Sequence, residues 1–331
     1  MHSAKEVDVD ALSDGEDVYI GGILEHIEEA GIHSGDSACI LPPKNLSKNE
    51  IQAIVEITKK LARKLEVRGL LNIQFAIQDK KVYVLEVNPR ASRTVPFISK
   101  ATGIPIAKIA ARLMIGQTLK ELKGIYHFDL LNYDFLTLKH IAVKEAVLPW
   151  VKFPGTDALL SPEMKSTGEV MGLDFNFASA FLKSQVASGT PVPLQGTILC
   201  SLRDQDKRQA LPIINEFIQA GFKVVATEGT YRYFKDSGLI VECVKKISEG
   251  RPHVVDLIKN RQVQMVVNTP SQSERAQTDG SQIRGAAIQF QVPIFTTLSA
   301  LKALNESILE IIRQKYRPEV QSLQDYFQVK N

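Results

Sequence analysis

A chain of 331 residues with 44% hydrophobic and 23% charged residues holds enough apolar material for two or three packed domains, which excludes wholesale disorder, a collagen-like chain and a coiled-coil rod. Forty basic residues against 37 acidic ones leave a formal charge of +3, so electrostatics make no case for a nucleic-acid partner. No run approaches ~18 consecutive apolar residues, so no membrane span is expected, and the opening MHSAKEVDVD has neither the basic flank nor the apolar core of a signal peptide.

In chain order, Val18–Glu29 reads as a strand or buried run with no preceding element to pair with. Residues 47–67 predict a helix: Ser47 and Glu50 form an S-x-x-E capping box, and Ile51, Ile54, Val55, Leu61 and Leu65 follow at helical spacing. A hairpin comes next. Leu71, Ile73, Phe75 and Ile77 alternate with Asn72, Gln74, Ala76 and Gln78, then Asp79-Lys80-Lys81 turns the chain into a Val82–Asn88 strand. Thr94–Gln117 is helical with a break at Gly103–Pro105, Val143–Trp150 reads as a strand, and Lys152-Phe153-Pro154-Gly155 as a turn. Divisions are placed after residue 117 and near 190, where Ser188–Pro193 resembles a linker.

Beyond 195 the pattern becomes regular. Ile198–Leu202, Lys223–Thr227, Ile240–Val244, Val263–Asn268 and Pro293–Thr297 are short β-branched runs separated by helical stretches, the first with Ala210, Ile213, Ile214, Phe217 and Ile218 on one face. That alternation predicts a doubly wound parallel sheet of about 130 residues. The overall class is therefore α/β with α+β. Three cysteines (Cys39, Cys200, Cys243) without a CxxC argue against a disulfide framework or structural zinc, and point to a reducing, cytoplasmic setting.

The strongest local constellation is Val84-Leu85-Glu86-Val87-Asn88-Pro89-Arg90, with Arg93 beyond. Residues two apart on a strand share a face, so Glu86 and Asn88 project together while Leu85 and Val87 are expected to enter the core. A carboxylate beside a carboxamide oxygen makes a hard donor pair suited to Mg²⁺; Gln74 on the neighbouring strand is able to point at the same place. Arg90 and Arg93 at the strand exit would meet phosphates bridged by such a metal. Spacing alone equally allows an exposed polar strand end. Gly31-Ile32-His33-Ser34-Gly35-Asp36-Ser37 lets a backbone approach a ligand closely, but it is not a P-loop and on its own also reads as a surface turn.

Glu25–Ser37 (EHIEEAGIHSGDS), Asn72–Gly103 (with VYVLEVNPRASRTVPFISKATG) and Ser161–Gly172 (SPEMKSTGEVMG) resemble the large chain of carbamoyl-phosphate synthetase, specifically its second, carbamate-phosphorylating ATP-grasp unit. The region after 195 resembles the same enzyme's effector domain, of methylglyoxal-synthase type. The resemblance implies a partial ATP-grasp domain over 1–117, truncated at its amino end, an extension and linker over 118–190, and a methylglyoxal-synthase-like allosteric domain over 191–331. It implies that Gln74, Glu86 and Asn88 hold Mg²⁺ or Mn²⁺, two ions per ATP. Arg90 and Arg93 act on the transferred phosphoryl group, Gly31, Ile32, His33 and Ser34 line the nucleotide pocket, and Glu6 binds ribose. The implied activity is glutamine-dependent ligation serving pyrimidine and arginine biosynthesis, and the implied partners are the rest of the large chain and a glutaminase small subunit. Against the family pattern, the chain starts late in the ATP-grasp fold, without the lid, and is expected to be a carboxyl-terminal piece that does not turn over ATP alone.

In the second half, strand ends carry Ser201, Thr227 with Thr230, and Asn268, while Lys207 opens a helix and Lys246 ends a strand. Together they would make a phosphate cradle; Ser, Thr and Asn also occur at such places for local capping. In the resembled family, Lys207, Thr227, Thr230, Lys246 and Asn268 match the positions of a nucleotide effector such as UMP or IMP, although Pro270 stands where a threonine is expected. Glu28, Asp36, Glu145 and Thr296 match a second effector site, for ornithine, in which Ile294 replaces a tyrosine. Two competing readings are a stand-alone nucleotide-binding regulatory module and a methylglyoxal synthase. The latter is poorly supported, since His253 is the second half's one histidine and no Gly-Gly-Asp element follows a strand.

Overall fold

The opening KEVDVDALSD run forms a strand, β1 (Lys5–Asp14), in a computed structural model that describes residues 4–126, 129–152, 157–270, 274–314 and 319–328. This strand corrects the expectation of an unpaired Val18 run. Strand β2 (Val18–His26) pairs antiparallel with β1 on one side and with β3 (Cys39–Leu41) on the other. The charged residues hid a period-two strand: Val7, Val9 and Ala11 face the core, while Glu6, Asp8 and Asp10 share the opposite face.

Helix α1 (Lys48–Lys64) begins at Ser47 with both halves of its capping box formed, an arrangement that typically stabilises a helix by ~1 kcal/mol. Strands β4 (Arg68–Gln78) and β5 (Lys81–Asn88) form the hairpin around Asp79 and Lys80, both left-handed at φ 51° and 64°, as a two-residue turn with the strands' own twist requires. Leu71, Ile73, Phe75 and Ile77 are all buried. Leu85 departs from expectation. The register jumps from Gln74↔Glu86 to Phe75↔Val84, so Leu85 is the extra residue of a bulge and lies 45% exposed instead of entering the core.

Helices α2 (Thr94–Thr102) and α3 (Ile106–Met114) break at Gly103 (φ 75°), and α3 packs across β1 and β4. After α4 (Leu119–Tyr126), strands β6 (Ile141–Val147) and β7 (Gly168–Asp174) extend the first sheet, giving seven strands in the order β5-β4-β1-β2-β3-β6-β7. Trp150, expected on a strand, instead opens a 3₁₀ turn (Trp150–Lys152); of the turn expected at 152–155, residues 153–155 lie outside the described residues. Helix α5 (Phe177–Ala187) then packs on β7.

The second sheet is parallel throughout, with β8 (Thr197–Ser201), β9 (Lys223–Thr227), β10 (Glu242–Val244), β11 (Met265–Asn268) and β12 (Ile294–Phe295) in the order β10-β9-β8-β11-β12. Its helices are α6 (Asp204–Gln219), α7 (Glu228–Asp236), α8 (Val254–Lys259), α9 (Glu274–Gln289) and α10 (Leu298–Gln314). Ala210, Ile214 and Phe217 of α6 are fully buried. One apolar cluster runs through the seam between the sheets: Ile40, Val143 and Phe181 pack with Phe217, Met265 and Leu304. The chain's last helix, α11 (Leu323–Gln328), returns to the first sheet, where the Tyr326 hydroxyl donates to the Leu173 carbonyl at 2.7 Å.

Candidate active site and effector pocket

Cross-strand pairing builds the first site. Residues directly opposite one another share a face, so Asp8, Gln74 and Glu86 form one row across β1, β4 and β5, and Asp10, Asn72 and Asn88 form the next. The expected donors Gln74, Glu86 and Asn88 thus lie on one surface, with Asn88 Nδ2 donating to Glu86 Oε1 at 2.8 Å. Among the described residues, no group of three or more His, Cys, Asp or Glu side chains is arranged to hold a metal. The expected set is one carboxylate with two carboxamides, and these hard oxygens fit Mg²⁺ in kind.

Sequence reasoning missed the buried acids at the β1 end of those rows. Asp10 is 1% exposed, accepting from Ser92 Oγ at 2.6 Å, from Asn72 Nδ2 at 3.1 Å and from the Thr94 hydroxyl. Burial raises its carboxyl to about 6, against the pull of those hydroxyls. Asp10 therefore ties the Arg90–Arg93 loop to the sheet. Next to it, His26 Nε2 sits 3.1 Å from Asp8 and His26 Nδ1 3.7 Å from Glu6. Burial opposes charge on His26, but the Cys39 sulfur and Asp8 more than offset it, and the imidazole titrates well above its ordinary value. The alternating E-V-D-V-D of residues 6–10 was the signal available for these acids.

The glycine loop closes over the same face. Glu6 Oε1 accepts from the Gly31 amide at 3.1 Å, where φ is 103°. Ile32 is half-buried, His33 Nδ1 accepts from the Gly35 amide at 3.0 Å, and the Ser34 carbonyl accepts from the fully buried Lys144 at 3.0 Å. Arg93 reaches this loop, donating to Ser166 Oγ at 3.1 Å and standing 2.9 Å from Met164 Sδ. Arg90 is exposed and donates to the Ala91 carbonyl at 3.0 Å, so the structure brings Arg93, but not Arg90, into contact with the loop's surroundings.

In the second half, the strand order reverses between β8 and β11, and ligands of open parallel sheets bind at that crevice beyond the strand ends. Ser201 and Asn268 flank it: Asn268 Nδ2 donates to the Ser201 carbonyl at 3.1 Å, and Thr227 Oγ1 donates to Ser201 Oγ at 3.3 Å. Thr230 Oγ1 accepts from the Leu202 amide at 3.0 Å. The Lys207 ammonium bonds Asp204 at 2.5 Å and the Gly229 carbonyl at 2.8 Å. Asp204 is held below its ordinary value chiefly by that lysine, while Lys246 lies just past β10 before a 3₁₀ turn, its amide donating to Glu249 at 2.8 Å. His253 is occupied structurally: its ring caps α8, accepting from the Asp256 amide.

Between the two halves lies a cavity of about 710 Å³ lined by Glu28, Glu145 and Thr296; Asp36 stands apart, accepting from the Lys165 and Ser166 amides at 2.7 and 2.9 Å. Burial raises the Glu28 and Glu145 carboxyls, and the charge of Glu28 raises Glu145 further. Such acids keep protons that the unfolded chain has released, so stability falls as pH climbs above the ordinary carboxylate range. Urea denaturation at about pH 5 and pH 8 is expected to show this loss, and Glu145→Gln to reduce it. Equal losses in both proteins would refute that assignment.

Two family models match the chain: the "Carbamoyl-phosphate synthase L chain, ATP binding domain" over residues 1–122 and the "MGS-like domain" over residues 209–296. They define the class, an ATP-grasp unit followed by a methylglyoxal-synthase-like domain. The carbamoyl phosphate synthase large chain of Archaeoglobus fulgidus is 51% identical over 327 residues, covering 98% of this chain and 29% of that protein. The "Carbamoyl phosphate synthase large chain, C-terminal section" of Aquifex aeolicus is 48% identical over 343 residues, covering 99% of this chain and 63% of that protein. The chain is similar over nearly its whole length to the carboxyl-terminal portion of carbamoyl-phosphate synthase large chains, and it spans less than a third of the Archaeoglobus protein. A solved biotin carboxylase domain of a single-chain bacterial carboxylase is a fainter likeness, with TM-score 0.42 and 17% identity over 56% of this chain and 47% of that one. Among the described residues, no helix is long and apolar enough to cross a membrane.

Proposed function

We propose that this chain forms one wall of the carbamate-phosphorylating ATP site of a glutamine-dependent carbamoyl-phosphate synthetase, joined near residue 190 to a nucleotide-sensing domain. The observation that carries this reading is the shared face of Gln74, Glu86 and Asn88, with Glu6 and the glycine loop beside it. In the proposed step a carbamate oxygen bonds to the γ-phosphorus of ATP as the bond to ADP breaks, a transfer that depends on positioning and charge stabilisation. Gln74, Glu86 and Asn88 would hold the magnesium, which when bound neutralises phosphate charge. Glu6 would take the ribose, the Gly31–Ser34 loop would line the nucleotide, and Arg93, steadied by Ser166, would meet the transferred group with the exposed Arg90.

Ser201, Lys207, Thr227, Thr230, Lys246 and Asn268 would receive a nucleoside monophosphate such as UMP or IMP, and the paired acids of the interface cavity suit an amine such as ornithine. The rest of the large chain and a glutaminase subunit would complete the cytoplasmic enzyme. A polypeptide carrying the rest of the large chain is expected to co-purify with this one and to make carbamoyl phosphate from ATP and carbamate only in the mixture. Turnover by this chain alone would overturn the division of labour. UMP binding without any magnesium–nucleotide binding at the first site would favour the alternative, a regulatory module whose ATP-grasp remnant is not catalytic.

A further inference from the structure

Arg284 of α9 is 2% exposed, and each of its three guanidinium nitrogens donates a hydrogen bond, two of them across the seam. Nε and Nη2 grip Asp157 Oδ1 and Oδ2 at 2.5 and 2.6 Å, and Nη1 donates to Asn268 Oδ1 at 2.6 Å. A bidentate guanidinium–carboxylate pair fixes orientation as well as distance. Asn268 sits at the β8/β11 crevice, its amide otherwise donating to the Ser201 carbonyl, so Arg284 decides which way that carboxamide faces.

Asp157 belongs to the other half, and the chain running from it reaches the first site. The Ser161 carbonyl accepts from the His33 amide at 2.9 Å; the Lys165 and Ser166 amides hold Asp36 at 2.7 and 2.9 Å; Ser166 Oγ touches the Gly35 carbonyl and Arg93, each at 3.1 Å. One end of segment 157–166 is thus clamped by Arg284, and the other braces the glycine loop and Arg93.

We propose that Arg284 is a positioning residue of the crevice, and that the Asn268–Arg284–Asp157 relay transmits occupancy of that crevice to the glycine loop. The inference rests on the crevice being an anion-binding effector site. A phosphate arriving beside Asn268 competes with Asp157 for the guanidinium and is repelled by the Asp157 carboxylate. Occupancy therefore loosens the clamp, and by linkage a tightened glycine loop disfavours the anion.

Hydrogen–deuterium exchange on the full chain tests this. Asp157 is partly exposed, so Asp157→Asn can fold, and without any ligand it is expected to speed exchange across residues 33–37 and 161–166 by about fivefold or more, leaving α1 and α6 unchanged. Unchanged exchange at 33–37 overturns the relay whether or not the crevice binds anything. In wild-type protein, UMP is expected to speed exchange at 33–37, and in Asp157→Asn to bind about fivefold tighter without that response. UMP that binds wild type yet leaves 33–37 untouched also overturns the relay. Failure of both UMP and IMP to bind by calorimetry refutes the effector-site reading instead, and the ligand-free comparison then decides the relay alone.

Discussion

Glu86→Gln is expected to weaken magnesium–ADP binding by about 100-fold, at or beyond the upper end of what loss of an outer-shell partner costs a metal site. The carboxylate supplies the one formal negative charge of the expected Gln74, Glu86 and Asn88 set, and a neutral amide cannot replace that charge against a divalent cation. Stability should barely move, because Glu86 is exposed and a glutamine oxygen can still accept from Asn88 at the same position; the expected change is within about 0.5 kcal/mol. Calorimetric titration of magnesium–ADP, paired with urea denaturation of the same samples, separates the two effects. Equal affinity in both proteins would remove Glu86 from the metal set, and a common loss of affinity and stability would make its role structural.

Gly172→Ala is expected to cost about 3 kcal/mol or more, which is the upper range for overpacking. A Cβ on Gly172 would lie 1.9 Å from the Ala180 carbonyl oxygen and 2.5 Å from the Ser184 amide nitrogen. Both are backbone atoms of α5, so no side chain can rotate away and the helix itself must withdraw from β7. Because α5 also packs against α10 of the second half, the withdrawal opens the seam. Gly168→Ala on the same strand is the internal control. Its Cβ would meet Val147 at 3.8 Å, ordinary contact, and a change within about 0.5 kcal/mol is expected. Urea denaturation in which the two variants fall equally would show that close helix–strand approach at Gly172 is not what makes the position sensitive.

Features governed by neighbours in sequence were the legible ones. Ser47 and Glu50 lie three apart, and their capping box forms as expected; Asp79 and Lys80 turn the hairpin; Lys223–Thr227 begins and ends as its β-branched run suggests. The face shared by Glu86 and Asn88 followed from period two alone. Leu85 escaped the same reasoning, since a bulge depends on how the partner strand is registered, and one extra residue inverts the expected side.

What the order of residues settled for this protein is local and periodic: which stretches become helix or strand, and which side chains share a strand face. Only the folded chain decided that Asp10 buries itself against Asn72 and Thr94, that Glu28 faces Glu145 in one cavity, and that Arg284 meets Asp157 across the seam. Those contacts join residues scores of positions apart. No helical or strand period reaches that far, so their pairing is set by how the sheets pack and by the demand that each buried charge find a partner.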